Sequence, residues 1–262
     1  MAKQNNYTLG RGKLYLALFK KGTTTPGGER YLGNSPDVAF SSESQRLDHF
    51  NSDAGIRVKD ASVLLQMDYA GSFSLDDIQF ENLALTFLGK SGTQSVAAKT
   101  AQVETFTNVQ ENLSFQLGTT SANPTGVRKV TVATGGVVDA TTPATVYVAG
   151  TDYVIDEDMG RITILEGTSI PADGGITVTW ASAAYTEEFT ISQGDTIEGA
   201  LRYVADNPAG DNIDFFMPWV QITPDGDYTL KGDDWQVMNF TLAILKKGSL
   251  NAVYANGRPY TS

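Results

Sequence analysis

The stretch Ala61–Gly89, ASVLLQMDYAGSFSLDDIQFENLALTFLG, decides the fold class. Its odd positions Val63, Leu65, Met67, Tyr69, Phe73 and Leu75 are apolar, with Gly71 the exception. Its even positions Ser62, Gln66, Asp68, Ser72 and Ser74 are polar, with Leu64 and Ala70 the exceptions. A period of two over this length predicts one long strand, buried on one face and wet on the other. Ser74 and Asp77 then form an S-x-x-D start, Asp76 and Asp77 suit the positive first turn, and Gly89 suits a C-terminal stop. These signals predict a helix over about 75–89. Phe80, Leu83, Ala84, Phe87 and Leu88 make its main apolar face. Ile78 and Leu85 form a second, narrower stripe: either the rim of the same core, or a contact with a second partner such as a neighbouring subunit.

Outward from that stretch, the bulk properties set limits. The 262 residues can bury a sizeable core, and 41% hydrophobic with 10% aromatic residues marks a globular chain. With no cysteine, neither disulfides nor thiolate metal sites exist. No apolar run is long enough for a helical membrane span, and MAKQNNYTLGRGK lacks the apolar core of a signal peptide. A net charge of −11 argues against wrapping nucleic acid by phosphate neutralisation, though not against a surface that nucleic acid slides past.

Residues 1–12 read as a polar arm and Lys13–Lys20 as a first strand. The segment 31–59, rich in Ser, Asn, Asp and Gly, reads as a long extended loop with room for a hairpin. Its Phe40, Leu47, Phe50 and Ile56 imply buried partners. Residues 94–118 read as another one-face-wet segment. Residues 127–184 form a run of short strands, VRKVTVAT, TVYVAG, DYVIDE, GRITILEG and GITVTWAS, expected as an inserted β-rich unit. Segments 185–193 and 196–205 resume the one-face-wet pattern, with Gly194–Asp195 as a hairpin turn. Trp235–Lys246 reads as a strand buried on both faces. The main domain is therefore 1–126 plus 185–262, interrupted by 127–184.

If 61–75, 105–117, 185–193 and 196–205 share one sheet, their wet face carries Gln66, Asp68, Gln110, Asn112, Gln116, Glu188, Glu198 and Arg202, rich in carboxylates and amides. Catalytic signals are weak. His49, the single histidine, lies beside Asp48 and downstream of Ser41, Ser42 and Ser44, but no nucleophile-elbow motif accompanies it. Asp152, Asp156, Glu157 and Asp158 lack the spacing of a calcium loop and read as turn acids. Trp180 and Trp235 read as core. No enzyme, cofactor or metal is expected.

In order, ERYLGNSPDVAFSSESQRLDHFNSDAGIRVKD (29–60), the strand into the helix, DNPAGDN (206–212) and FFMPWVQITPDGDYTLKGDDWQVMNFTLAILK (215–246) resemble the major tail tube protein of long-tailed, non-contractile bacteriophages. The resemblance implies a mainly β fold, a β-sandwich or barrel with one flanking helix. It implies a structural virion protein, made in the bacterial host cytoplasm, that self-assembles into hexameric rings stacked as a tail tube. DNA would pass through the lumen without specific binding. A tape-measure protein would occupy that lumen and other tail proteins the tube ends, with no membrane involved. The wet-face residues would then line the lumen, and Ile78 and Leu85 would meet the next subunit. Phe40, Leu47, His49, Phe50, Ile56 and Arg57 would connect rings, and 127–184 would lie on the outer surface. The competing expectation is a secreted or surface β-sandwich module that binds carbohydrate.

Overall fold

In the computed structural model, which describes residues 7–53 and 55–258, the period-two stretch lies within a single 18-residue strand. The first part of the chain runs β1 (Gly12–Leu18), β2 (Arg30–Tyr31), β3 (Val38–Asn51), β4 (Val58–Leu75), α1 (Phe80–Thr86) and β5 (Gly89–Val96). It continues as β6 (Lys99–Val109), β7 (Ser114–Gln116), β8 (Val130–Asp139), β9 (Tyr153–Asp156), β10 (Arg161–Ile164) and β11 (Gly174–Ser182). The last part is β12 (Tyr185–Ser192), β13 (Ile197–Ala205), β14 (Ile213–Pro224), β15 (Met238–Ile244) and β16 (Tyr254–Gly257). The protein is mainly β, with several antiparallel sheets and, among the described residues, one short helix.

Two compact units form, one from residues 1–92 and 189–262, the other from 93–188. The first holds a sheet ordered β2-β1-β13-β14-β15-β4-β3, with β16 added to β14. Its core gathers alternate residues of these strands, including Leu14, Leu16, Phe73, Leu75, Leu201, Met217 and Phe240. The rings of Phe73 and Phe240 stack with centroids 4.9 Å apart, across a directly paired position of β4 and β15. β15 buries Met238, Phe240, Leu242 and Ile244 and exposes Asn239, Thr241 and Ala243. It is a one-face strand, not the doubly buried one expected, because the second face carries only small or polar side chains.

The second unit is built from the sheets β6-β11-β8 and β7-β10-β9 around Val109, Leu117, Ile162, Ile164, Ile176, Val178 and Trp180. It begins well before residue 127, so the segment 94–118 belongs here and not to the main sheet. Asp152 organises its turns. The carboxylate is buried and accepts bonds from the Val148 and Ser169 N–H groups (both 2.7 Å), the Ser169 hydroxyl (2.9 Å) and the Thr168 hydroxyl (3.2 Å). Burial opposes its charge, yet these donors win and hold its pKa below the usual carboxylate range. β5 and β12 pair with each other, so β12 and β13 do not form the hairpin expected at Gly194–Asp195.

The helix is shorter than its sequence signals suggest. It starts at Phe80 with Gln79 as N-cap and has seven residues. Ser74, the expected cap, still belongs to β4, where its N–H donates to Asp37 O. Asn82 fixes the rotation of the helix. Its buried amide donates to Leu32 O (2.8 Å) and Asp77 O (2.9 Å) and accepts from Arg30 Nη2 (2.8 Å). That anchor turns Leu85 inward, leaving it 3% exposed in the core with Ile78 packed beside it. Phe80 and Phe87, 39% and 44% exposed, face outward instead. The inter-subunit role expected for Ile78 and Leu85 is therefore corrected: that stripe is core, together with Leu83, Ala84 and Leu88 of the main face, and only Phe80 and Phe87 of that face turn outward.

Candidate assembly surface

The segment expected as a loop over 31–59 is mostly strand. β3 pairs along its whole length with β4, and a short turn joins them. β15 supports β4 only from Tyr69 to Leu75, so residues 58–68 of β4 pair with β3 alone. At about 3.3 Å per residue that two-stranded ribbon is roughly 35 Å long. Both of its faces are exposed. Isolated two-stranded hairpins are marginal in water, and no other element of the described residues covers this one.

Its two faces differ. Phe40, Ser42 and Ser44 stand opposite Gly71, Tyr69 and Met67, on the same side of the strand pair as Phe73. The Phe40 ring lies 5.9 Å from that of Phe215, so this face begins at the core and continues along the ribbon without cover. Glu43 and Gln45 stand opposite Asp68 and Gln66 on the other face, where the Gln66 amide donates to Asp68 at 2.6 Å. A register shift between Gln45 and Arg46 leaves Leu65 unpaired, and beyond it Leu64 and Val63 face Arg46 and Leu47. A second shift follows His49. These bulges end the simple alternation and spread exposed apolar side chains, Leu47, Val63, Leu64 and Leu65, over both faces.

Near the tip, Ile56 is 79% exposed and the Arg57 guanidinium lies 5.3 Å from the Phe50 ring centroid. Asp48 accepts from Lys59 and Ser62, both at 2.7 Å, and these bonds hold its carboxyl below the usual range. His49 Nδ1 meets Asp60 at 2.5 Å, so its partner is neither Asp48 nor one of the serines upstream. The residues expected to connect rings, Phe40, Leu47, His49, Phe50, Ile56 and Arg57, thus lie on one ribbon or its turn. The polar arm expected over 1–12 falls in part on residues 1–6, outside the described residues.

The structure separates the residues expected to share one wet face. Gln66 and Asp68 lie on the ribbon, and Glu198 and Arg202 on β13, which β14 and β15 separate from β4 in the same sheet. Arg202 pairs with Glu29 at 2.8 Å and covers the Phe216 ring at 4.5 Å. Gln110, Asn112, Gln116 and Glu188 belong to the second unit. There Gln110 donates to Asp173 (2.7 Å), and Gln116 to Met159 O (2.9 Å) and Gly160 O (3.1 Å). Asn112 occupies a left-handed turn at φ 64°. These four are not neighbours of Asp68 in any sheet, so the single wet face is corrected to the ribbon's own polar face. Sequence reading missed Glu43 and Gln45, whose serine-rich surroundings hide the strand period.

Residues 7–256 match the model of a family described as Protein of unknown function UCP028589. The chain belongs to this family. The match takes in both units and the whole ribbon. No curated protein matches the chain. Among the described residues, no group of three or more histidines and acids is placed to hold a metal ion. No helix among them is long and apolar enough to cross a membrane.

Proposed function

We propose that this protein is the repeating subunit of a phage tail tube, assembling as hexameric rings that stack around a DNA-conducting channel. One observation carries the reading: a core-facing apolar surface continues out along a two-stranded ribbon that the chain's own body does not cover. Such a ribbon gains stability only when another copy packs on it. β3 is also a 14-residue edge strand, and closing strands into a ring removes edges of that kind.

The polar face of the same ribbon suits the channel. Glu43 and Asp68, repeated sixfold, make a ring of negative charge that repels phosphates and lets DNA slide. The tip, with Phe50 and Ile56, reaches the next ring. A tape-measure protein fills the lumen before ejection, other tail proteins close the tube ends, and the virion is the site of action. Electron microscopy of the purified protein is the test: rings or tubes with a central hole are expected. Monomers persisting at high concentration under varied salt would overturn it, as would tubes from a chain whose residues 45–65 are replaced by a short turn.

A further inference from the structure

Trp235 is 93% exposed and does not belong to the core expected of it. It sits on the connection between β14 and β15, in the sequence Asp225–Trp235, DGDYTLKGDDW, with Leu230 also exposed at 76%. The connection is held in shape: the Tyr228 hydroxyl donates to Gln236 Oε1 (3.0 Å), and Gln236 Nε2 to Thr229 O (3.1 Å). Asp225 N donates to Asn239 O (2.9 Å) at its base. An indole presented on a braced loop among Asp227, Asp233 and Asp234 is a preorganised anchor.

The same unit carries a surface of complementary chemistry. An open cleft of about 610 Å³ lies between the end of β1, α1 and the start of β13. Phe19, Ala84 and Leu85 supply apolar wall, and Lys20, Lys21, Arg30 and Lys90 supply cations against Glu81, Asp195 and Glu198. On a chain with a net charge of −11, a cleft with more cations than carboxylates is unusual. Arg30 Nη1 is buried with no hydrogen-bond partner among the described residues, while Nη2 is held by Asn82. The charges of Glu81 and Asp77 act on that guanidinium, so the exposed cations of the cleft are Lys20, Lys21 and Lys90.

We infer that the Asp233-Asp234-Trp235 tip of one copy docks in the lysine-rimmed cleft of a second copy. The indole covers Phe19 and the helix, and the aspartates face the exposed Lys20 and Lys21. The loop leaves β14 beside the start of β13, which lines the cleft; where the docking is not reciprocated between two copies, it passes on from copy to copy and closes as a ring. The inference rests on the assembly reading and names one of its contacts.

The test reads assembly and the environment of Trp235 together in the full chain. Trp235 is isolated as the difference between wild type and Trp235→Phe, and its acrylamide quenching is followed from dilute monomer to assembled rings. A blue-shifted, several-fold less quenchable Trp235 in the rings is expected. Trp235→Ala, and Lys20→Asp with Lys21→Asp, should each raise the concentration needed for assembly by about tenfold or more, the loss expected of a central anchor. Adding Asp233→Lys and Asp234→Lys to the lysine variant should restore it. Rings in which Trp235 quenches as in the monomer overturn this contact and leave the tube standing. Monomers under all conditions overturn both. Quenching or shift of monomeric Trp235 by added oligosaccharide, with no self-association, overturns it in favour of a sugar platform.

Discussion

Glu43 stands directly opposite Asp68 in the β3–β4 ladder, two carboxylates on one face of a ribbon with no body beneath it. Like charges across a strand pair weaken it. Their presence fits a face that must repel something, whether a polyanion in the channel or the edge of a free copy. Glu43→Lys converts the pair to opposite charges and should stabilise the free ribbon by about 0.5 kcal/mol. Slower amide exchange near residues 43 and 68 is the readout. In virions, Glu43→Lys with Asp68→Lys should leave tubes intact and slow DNA ejection. Unchanged ejection would show that this face does not line the channel.

The ribbon's apolar side chains give a second prediction. Leu47 and Ile56 are exposed and lie outside the buried core of their unit. Leu47→Asp with Ile56→Asp should therefore change monomer stability by no more than about 0.5 kcal/mol while abolishing assembly. Thermal melting and sedimentation of the same sample separate the two effects. Normal tubes from this variant would exclude the ribbon as an inter-copy contact.

The helix supplies a third. Leu85 is buried among core residues and Phe80 is not. Leu85→Ala should cost roughly 2–4 kcal/mol through the cavity it leaves, whereas Phe80→Ser should cost under about 0.5 kcal/mol as an exposed substitution. Chemical denaturation of the two variants reads the difference directly. Equal losses would mean that the helix is rotated from the position Asn82 gives it.

Those three cases show where the sequence was informative. The alternation from Val63 to Leu75 marked β4 because a strand's side-chain period needs no tertiary knowledge. The helix is ambiguous in sequence because a wheel shows two apolar stripes and cannot say that Asn82 turns the side shared by both, Leu83, Ala84 and Leu85, inward and leaves Phe80 and Phe87 outside. The ribbon was hidden because β3 is rich in Ser, Gln and charge, and because its bulges break the period. The residues expected to share one wet face fall in different sheets because a wet face on each of four segments says nothing about which sheet each segment joins. Trp235 reads as core in sequence because it opens the largely apolar run WQVMNFTLAILK; the strand begins three residues later, at Met238.

The second unit should have a stability plateau bounded by named groups. Asp152 has a lowered folded-state pKa, so its contribution is present above the unfolded value, about 3.9, and is lost as pH falls through the folded one. Asp139 behaves likewise: the Thr142 N–H, the Tyr147 hydroxyl and the Thr141 N–H stabilise its charge. At the alkaline end, burial and then the 2.9 Å bond to Asp139 push the Tyr147 phenol up to about 12. Its contribution is complete below the unfolded value, about 10, and is lost as pH rises through the folded value. Trp180, inside this core, reports unfolding. Asp152→Asn should lose about 2 kcal/mol near neutrality, from hydrogen bonds to a charged acceptor, and the difference from wild type should shrink in strong acid. Tyr147→Phe should reduce the decline between the two alkaline pKa values, leaving the part supplied by Tyr153, whose phenol is pushed up chiefly by burial. An unchanged alkaline decline in that variant would assign the effect to another group.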